Sequence, residues 1–229
     1  MLKRVTALLT VFLTAACSSL APAGGEADPF VAAAPETAAP RQPLVLLLSG
    51  DGDWAAFPKA ITAAVTRTGA PVIGLKSRTY LSRQRTPEEA ARLLQDVVER
   101  GLREYQRDSL VIIGYSRGAD MAPFILNRWP EDLRGRVRRV ALVGFSENAN
   151  FLFHTEDLWR NVHRPSDLPT RPEVAQLRMP VLCVGGVKES DSFCKHPLPS
   201  MRVFEHTGGH VIGNDQFTVQ RILKELAIT

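Results

Sequence analysis

A serine hydroxyl is a weak nucleophile at neutral pH. It becomes competent when an imidazole takes its proton and a carboxylate fixes the tautomer of that imidazole. The stretch Gly114-Tyr115-Ser116-Arg117-Gly118 is where this chain could build such a group. A Gly-x-Ser-x-Gly turn presents its hydroxyl above a sheet edge only when a buried strand enters it and a helix leaves it. Both contexts are present. Leu110 to Gly114 is continuously apolar, and Met121, Phe124, Ile125 and Trp129 follow at helical spacing. Ser116 is therefore the expected nucleophile.

The base should lie late in the chain, after the last strand. His210, in Thr207-Gly208-Gly209-His210, has that position, whereas His206 precedes the turn. The acid should lie on the loop Gly186 to Ser192, which offers both Glu189 and Asp191. Glu189 fits the usual spacing after a strand and glycine, while Asp191 stands nearer Cys194. The sequence reading takes Asp191. An oxyanion hole needs two backbone N–H groups, one from the residue after the nucleophile and one from the loop after the first strand. Arg117 supplies the first, and Asp51 or Gly52 in Ser49-Gly50-Asp51-Gly52-Asp53-Trp54 the second. That loop is glycine-rich, but no Gly-Lys-Ser/Thr follows it and the third glycine of a dinucleotide site is missing. No cofactor and no metal are expected.

These side chains must be held by a scaffold, and the hydrophobic pattern describes one. Short apolar runs at Leu44 to Ser49, Val72 to Leu75, Leu110 to Gly114, Val137 to Val143, Val181 to Gly185 and Met201 to His206 alternate with helical patterns. Such alternation predicts an α/β fold, a mostly parallel sheet with helices on both faces, and the Gly-x-Ser-x-Gly elbow makes the α/β-hydrolase type the expectation. Thr86-Pro87-Glu88-Glu89 is the clearest helix start, with a capping hydroxyl and a carboxylate three residues on. The stretch 146–177 shows no clean period and reads as an irregular excursion over the sheet.

The N-terminus has a different character. Lys3 and Arg4 precede an apolar run from Val5 to Ala16, an export signal expected over residues 1–16. Leu13-Thr14-Ala15-Ala16-Cys17 resembles a lipobox, with Thr14 where an aliphatic residue is usual. Lipidation at Cys17 is the expectation, and Ser18 after it favours the outer membrane. Residues 17–43, rich in alanine and proline, read as a disordered tether, and 44–229 as one domain.

Removing the signal leaves 26 basic and 24 acidic residues, a net charge of +2 that argues against nucleic-acid binding. In an exported chain the two remaining cysteines, Cys183 and Cys194, are expected to form a disulfide. A monomer is expected.

Three motifs in order, Leu48 to Trp54, Ile113 to Asp120 and Cys183 through Cys194, resemble the bacterial VirJ/AcvB virulence-protein family. Asp53, where glycine is expected, and Arg117 depart from that pattern. The resemblance implies a periplasmic α/β-hydrolase acting on aminoacylated phosphatidylglycerol, most simply its lysyl ester. A general esterase or thioesterase, and a non-catalytic partner of a secretion or envelope assembly, are the alternatives. The substrate's ammonium would need a carboxylate, for which Asp51, Asp53, Asp120 and Glu147 stand at predicted strand ends.

Overall fold

Five central strands are apolar on both faces, which commits them to the middle of a three-layer molecule. In the computed structural model, which describes residues 27–158 and 162–228, the elements run in the following order. Strands β1 (Phe30–Ala33) and β2 (Leu44–Leu48) precede helix α1 (Ala56–Arg67), strand β3 (Val72–Leu75) and helices α2 (Ser77–Tyr80) and α3 (Pro87–Glu104). Strand β4 (Leu110–Tyr115), helices α4 (Arg117–Asn127) and α5 (Glu131–Arg134) and strand β5 (Val137–Val143) follow. Two short strands, β6 (Asn148–Ala149) and β7 (Leu168–Pro169), and helix α6 (Arg171–Val174) lead into β8 (Val181–Gly186), β9 (Met201–His206) and α7 (Gln216–Leu226).

The seven-stranded sheet has the order β1-β3-β2-β4-β5-β8-β9, parallel except at β1. Alternation along each strand sorts its side chains to opposite faces. Leu44, Leu46 and Leu48 pack in one cluster with Leu94, Val98 and Ile125 of α3 and α4. Val45 and Leu47 belong to the other, with Ile61 and Val65 of α1 and Ile222 of α7. The α3 start carries the expected capping box, Thr86 Oγ1 accepting from Glu89 N and Glu89 accepting from Thr86 N.

The expected tether is shorter than its composition suggested. Phe30–Ala33 forms an antiparallel edge strand on β3, with Phe30 opposite Leu75. Alanine-rich sequence can still donate a ladder of backbone hydrogen bonds when a neighbouring strand offers an open edge. The export signal and Cys17 lie outside the described residues. Among the described residues no helix is long and apolar enough to cross a membrane.

Candidate active site

Strand β4 ends at Tyr115, and Ser116 turns the chain into α4 with φ 53° and ψ −125°. A positive φ on a serine is strained, and it persists only where surrounding structure enforces it. Two contacts do so here. Ser116 N donates to Val143 O at 2.7 Å, and Ser116 O accepts from Ala119 N at 2.7 Å. Gly118 is obligatory for close approach, since a Cβ there would fall 2.3 Å from the carbonyl oxygen of Leu48.

The raised hydroxyl meets His210. Ser116 Oγ and His210 Nε2 are 2.8 Å apart, and His210 Nδ1 lies 2.5 Å from Glu189 Oε1. An ionised carboxylate can only accept, so Nδ1 carries the ring proton and Nε2 is left to accept from the serine. The other oxygen of Glu189 accepts from Gly186 N at 3.1 Å.

The acid expected from sequence, Asp191, is thereby replaced. After β8 the loop turns tightly, Glu189 N donating to Gly186 O at 3.0 Å, and this folds Glu189 back over the strand end beneath the imidazole. Asp191 comes two residues later, past the turn. It lines the same cavity, where its charge adds to the rise of the His210 pKa.

The electrostatics follow from these contacts. The hydrogen bond to Glu189 raises the His210 pKa above its usual value, against burial, which lowers it. Burial raises the Glu189 carboxyl, but the bonds from His210 and Gly186 outweigh it and the net shift is downward.

Cys183 and Cys194 are joined by a disulfide with Cα atoms 5.6 Å apart. The bond ties the far end of the Glu189 loop to β8 itself. Phe193 N donating to Phe145 O at 2.8 Å adds a second anchor to the neighbouring strand.

Facing Ser116 is the loop after β2. A Cβ at Gly50 would lie 2.9 Å from Ser116 Cβ, so this backbone passes directly beside the serine. Asp51 lines the cavity together with Arg117, while Gly52 does not. Arg117 is the first residue of α4 and its N–H has no acceptor within the helix.

The side chain of Arg117 was not foreseen as structural. It is nearly buried, binds both carboxyl oxygens of Asp51, donates to Asp157 Oδ2 at 2.7 Å and reaches Asn150 O at 3.3 Å. Arg164 in turn bonds Asp157 Oδ1 at 2.7 Å and Glu156 at 2.9 Å. The excursion between β5 and α6 is thus held over the site by Arg117, while Arg164 braces it internally.

The resulting cavity of about 330 Å3 opens onto Ser116 and His210. Among the described residues six carboxylates line it, Asp51, Asp120, Asp157, Asp167, Glu189 and Asp191, against two guanidinium groups, Arg117 and Arg164. Among the four carboxylates considered for an ammonium, Asp51 is committed to Arg117, Asp53 accepts from Thr79 N and Oγ1, and Glu147 pairs with Arg171. Asp120 remains. Its Oδ1 accepts from Ser146 N at 2.8 Å, and burial drives its pKa up to about 7 although that bond and Arg117 oppose the rise. Among the described residues no cluster of side chains is suited to hold a metal ion.

Sequence comparison places this arrangement in a lineage. The model of the bacterial virulence protein VirJ matches residues 42–228.

The chain belongs to the VirJ family.

For this VirJ-family chain, solved structures agree on the fold. It is similar to a proline iminopeptidase of Mycobacterium smegmatis, with 13% identity over 86% of this chain and 93% of that one, at a TM-score of 0.60. An esterase from Exiguobacterium antarcticum matches with 12% identity, covering 86% and 94%, at 0.59. A probable hydrolytic enzyme of Pseudomonas aeruginosa matches with 16% identity, covering 86% and 88%, at 0.60. All show the α/β-hydrolase fold. No curated protein matches the chain.

Proposed function

We propose that this protein is a serine hydrolase that cleaves the aminoacyl ester of a phospholipid, with lysyl-phosphatidylglycerol as its substrate. The observation that carries the reading is the chain of hydrogen bonds Ser116–His210–Glu189, opening into a cavity rich in carboxylates.

His210 Nε2 takes the proton of Ser116 as Oγ attacks the ester carbonyl, and Glu189 stabilises the imidazolium that forms. The N–H groups of Arg117 and Asp51 receive the developing oxyanion. His210 then returns its proton to the departing glycerol hydroxyl of the lipid, leaving an acyl-serine. Water, deprotonated by the same imidazole, attacks this ester and frees the amino acid and Ser116. No step needs a cofactor.

Two features favour a cationic acyl group. Among the described residues the cavity's carboxylates outnumber its guanidinium groups, and Asp120 forms no ion pair there although the charge of Arg117 acts on it. The VirJ-family relationship supports the lipid class, and the esterase and peptidase among the structural neighbours support the reaction type. Export to the periplasm, with a lipid anchor on Cys17 at the outer membrane, would bring the enzyme to such lipids.

Incubating the protein with lysyl-phosphatidylglycerol and analysing the lipids by mass spectrometry tests this. Lysine and phosphatidylglycerol should accumulate, and Ser116→Ala should abolish the reaction while preserving the fold. Lysine release by Ser116→Ala would refute the nucleophile. Cleavage of short nitrophenyl esters but not of the lipid would make the protein a general esterase.

A further inference from the structure

Folded proteins leave single apolar side chains exposed without consequence, so position decides whether such residues mean anything. Among the described residues five large apolar side chains are exposed: Val211 (76%), Phe217 (73%), Val187 (55%), Leu158 (43%) and Val203 (42%). Only Val203 lies within a strand. The other four ring the carboxyl end of the parallel sheet, where the cavity opens.

Three stand close in sequence to residues of the site, and the fourth ends the loop that carries His210. Val211 follows His210, and Val187 lies on the loop that carries Glu189. Leu158 adjoins Asp157, which lines the cavity and pairs with Arg117. Phe217 is in the first turn of α7, at the end of the loop that brings His210 to Ser116. Asn214, Gln216 and Lys188 lie among them, polar side chains that headgroups tolerate.

The register of β1 is an independent observation. Because β1 is antiparallel, its first residue pairs with the last residue of β3, Phe30 with Leu75, and Lys76 N donates to Pro29 O at 2.7 Å. The 26 residues upstream of the described chain therefore join the domain at the same end as the cavity.

We infer that Val211, Phe217, Val187 and Leu158 form a docking face that seats the mouth of the cavity on a lipid surface. The inference rests on the proposed function, because a lipid-borne substrate is what selects a lipid surface over a protein as the occupant of this face. A protein seated on all four side chains would cover the cavity between them. A lipid surface covers it too, and supplies the substrate through the covered opening. Loop side chains enter only the interfacial layer, since backbone N–H and C=O groups must stay hydrated. The orientation then lets a headgroup ester reach Ser116 while the acyl chains stay in the bilayer.

Residue-specific quenching in the full chain tests this. Phe217→Trp, Val211→Trp and Glu131→Trp, the last at the opposite end of the sheet, are mixed with vesicles of phosphatidylglycerol and phosphatidylcholine bearing brominated acyl chains. The three native tryptophans give each variant the same background. Quenching at positions 217 and 211 above that at 131 is expected. Equal quenching at all three would mean adsorption without a preferred face and would overturn the proposal. Absence of quenching at 217 and 211 would overturn it as well and assign the face to a protein.

Phe217→Ser should lower the vesicle partition coefficient about tenfold, the effect of losing one buried aromatic side chain. It should also lower the ratio of turnover on vesicle-borne ester to turnover on a dissolved ester. An unchanged partition coefficient would refute Phe217 as an anchor. Measuring turnover on the same tryptophan variants, with Ser116 intact, separates the two readings. Docking without turnover would fault only the chemistry, and turnover of dissolved ester without docking would fault only the face.

Discussion

Arg117 and Asp51, the two residues whose backbone N–H groups are proposed to receive the oxyanion, clasp each other through two parallel side-chain hydrogen bonds. One ion pair thus fixes the spacing between the elbow and the loop that faces it. Through Asp157 the same guanidinium also holds the excursion over the cavity. Replacing Arg117 by methionine leaves Asp51 without its partner and Asp157 with Arg164 alone. Breaking a buried pair in this way typically costs about 3–5 kcal/mol. We expect a lower melting temperature and a fall in kcat larger than the change in KM. Arg117→Lys should restore part of the stability but not the forked geometry, and so less of kcat.

The two carboxylates of the acid loop give opposite expectations. Glu189→Gln should lower kcat by about 10^3- to 10^4-fold, the loss usual when an orienting carboxylate is removed. Asp191→Asn should stay within several-fold of the unchanged enzyme. The pH profile adds a second check. Neutral His210 is the active form and its pKa is raised chiefly by Glu189, so the acidic limb of kcat/KM lies above about 6.5. In Glu189→Gln that limb should move to lower pH. A limb that stays in place would contradict the assignment.

Asp120 predicts a stability change with a definite sign. Its folded pKa, about 7, exceeds the unfolded value of 3.8. The folded state therefore binds more protons between these values, and this contribution, complete below the unfolded pKa, is lost as pH rises toward 7. His210 acts in the same direction over a higher window. Glu189 acts oppositely, stabilising above its unfolded pKa and losing that effect as pH falls through its lowered one. Asp120→Asn removes the first contribution and weakens that of His210, whose pKa Asp120 helps to raise. Melting curves should show this variant gaining several degrees on the unsubstituted protein between pH 4 and pH 8, with a parallel loss of preference for aminoacyl over plain acyl esters.

The disulfide closes a short loop, eleven residues apart in sequence. Chain-entropy arguments give such a closure about 3 kcal/mol, worth roughly 6–12 °C in melting temperature for a domain of this size. The double substitution Cys183→Ala and Cys194→Ala should show that loss. Because Glu189 lies within the closed loop, kcat should fall at temperatures where the protein is still folded. Near-ultraviolet circular dichroism and turnover measured on the same samples separate the two effects.

The parts of this architecture that could be read in advance are those encoded locally. The elbow is a strand, a glycine pair and a helix in immediate succession, and the α3 capping box occupies four adjacent residues. Choosing between Glu189 and Asp191 required the geometry of a turn. Two carboxylates so close in sequence differ only in which one the Gly186 turn folds back, and spacing to a cysteine was the wrong guide. β1 escaped notice because Phe30-Val31-Ala32-Ala33 has no period of its own and gains its structure from β3, some forty residues away. The order of the excursion depends on Arg117, whose partners Asp51, Asn150 and Asp157 lie far along the chain. No local pattern records such pairings.

The imidazole of His210 lies between Tyr115, with ring centroids 6.1 Å apart, and Gly144, where a Cβ would come within 2.9 Å of the ring. Gly144, at φ 63°, leaves just the thickness of one ring beside it. A histidine at the protein surface ordinarily samples several rotamers and must be recruited from them whenever a substrate arrives. Here that freedom is surrendered once, when the chain folds, so the entropy of aligning the base is absent from every later encounter with an ester. Gly144→Ala would leave each group of the proposed triad chemically intact and still give the ring no place to stand.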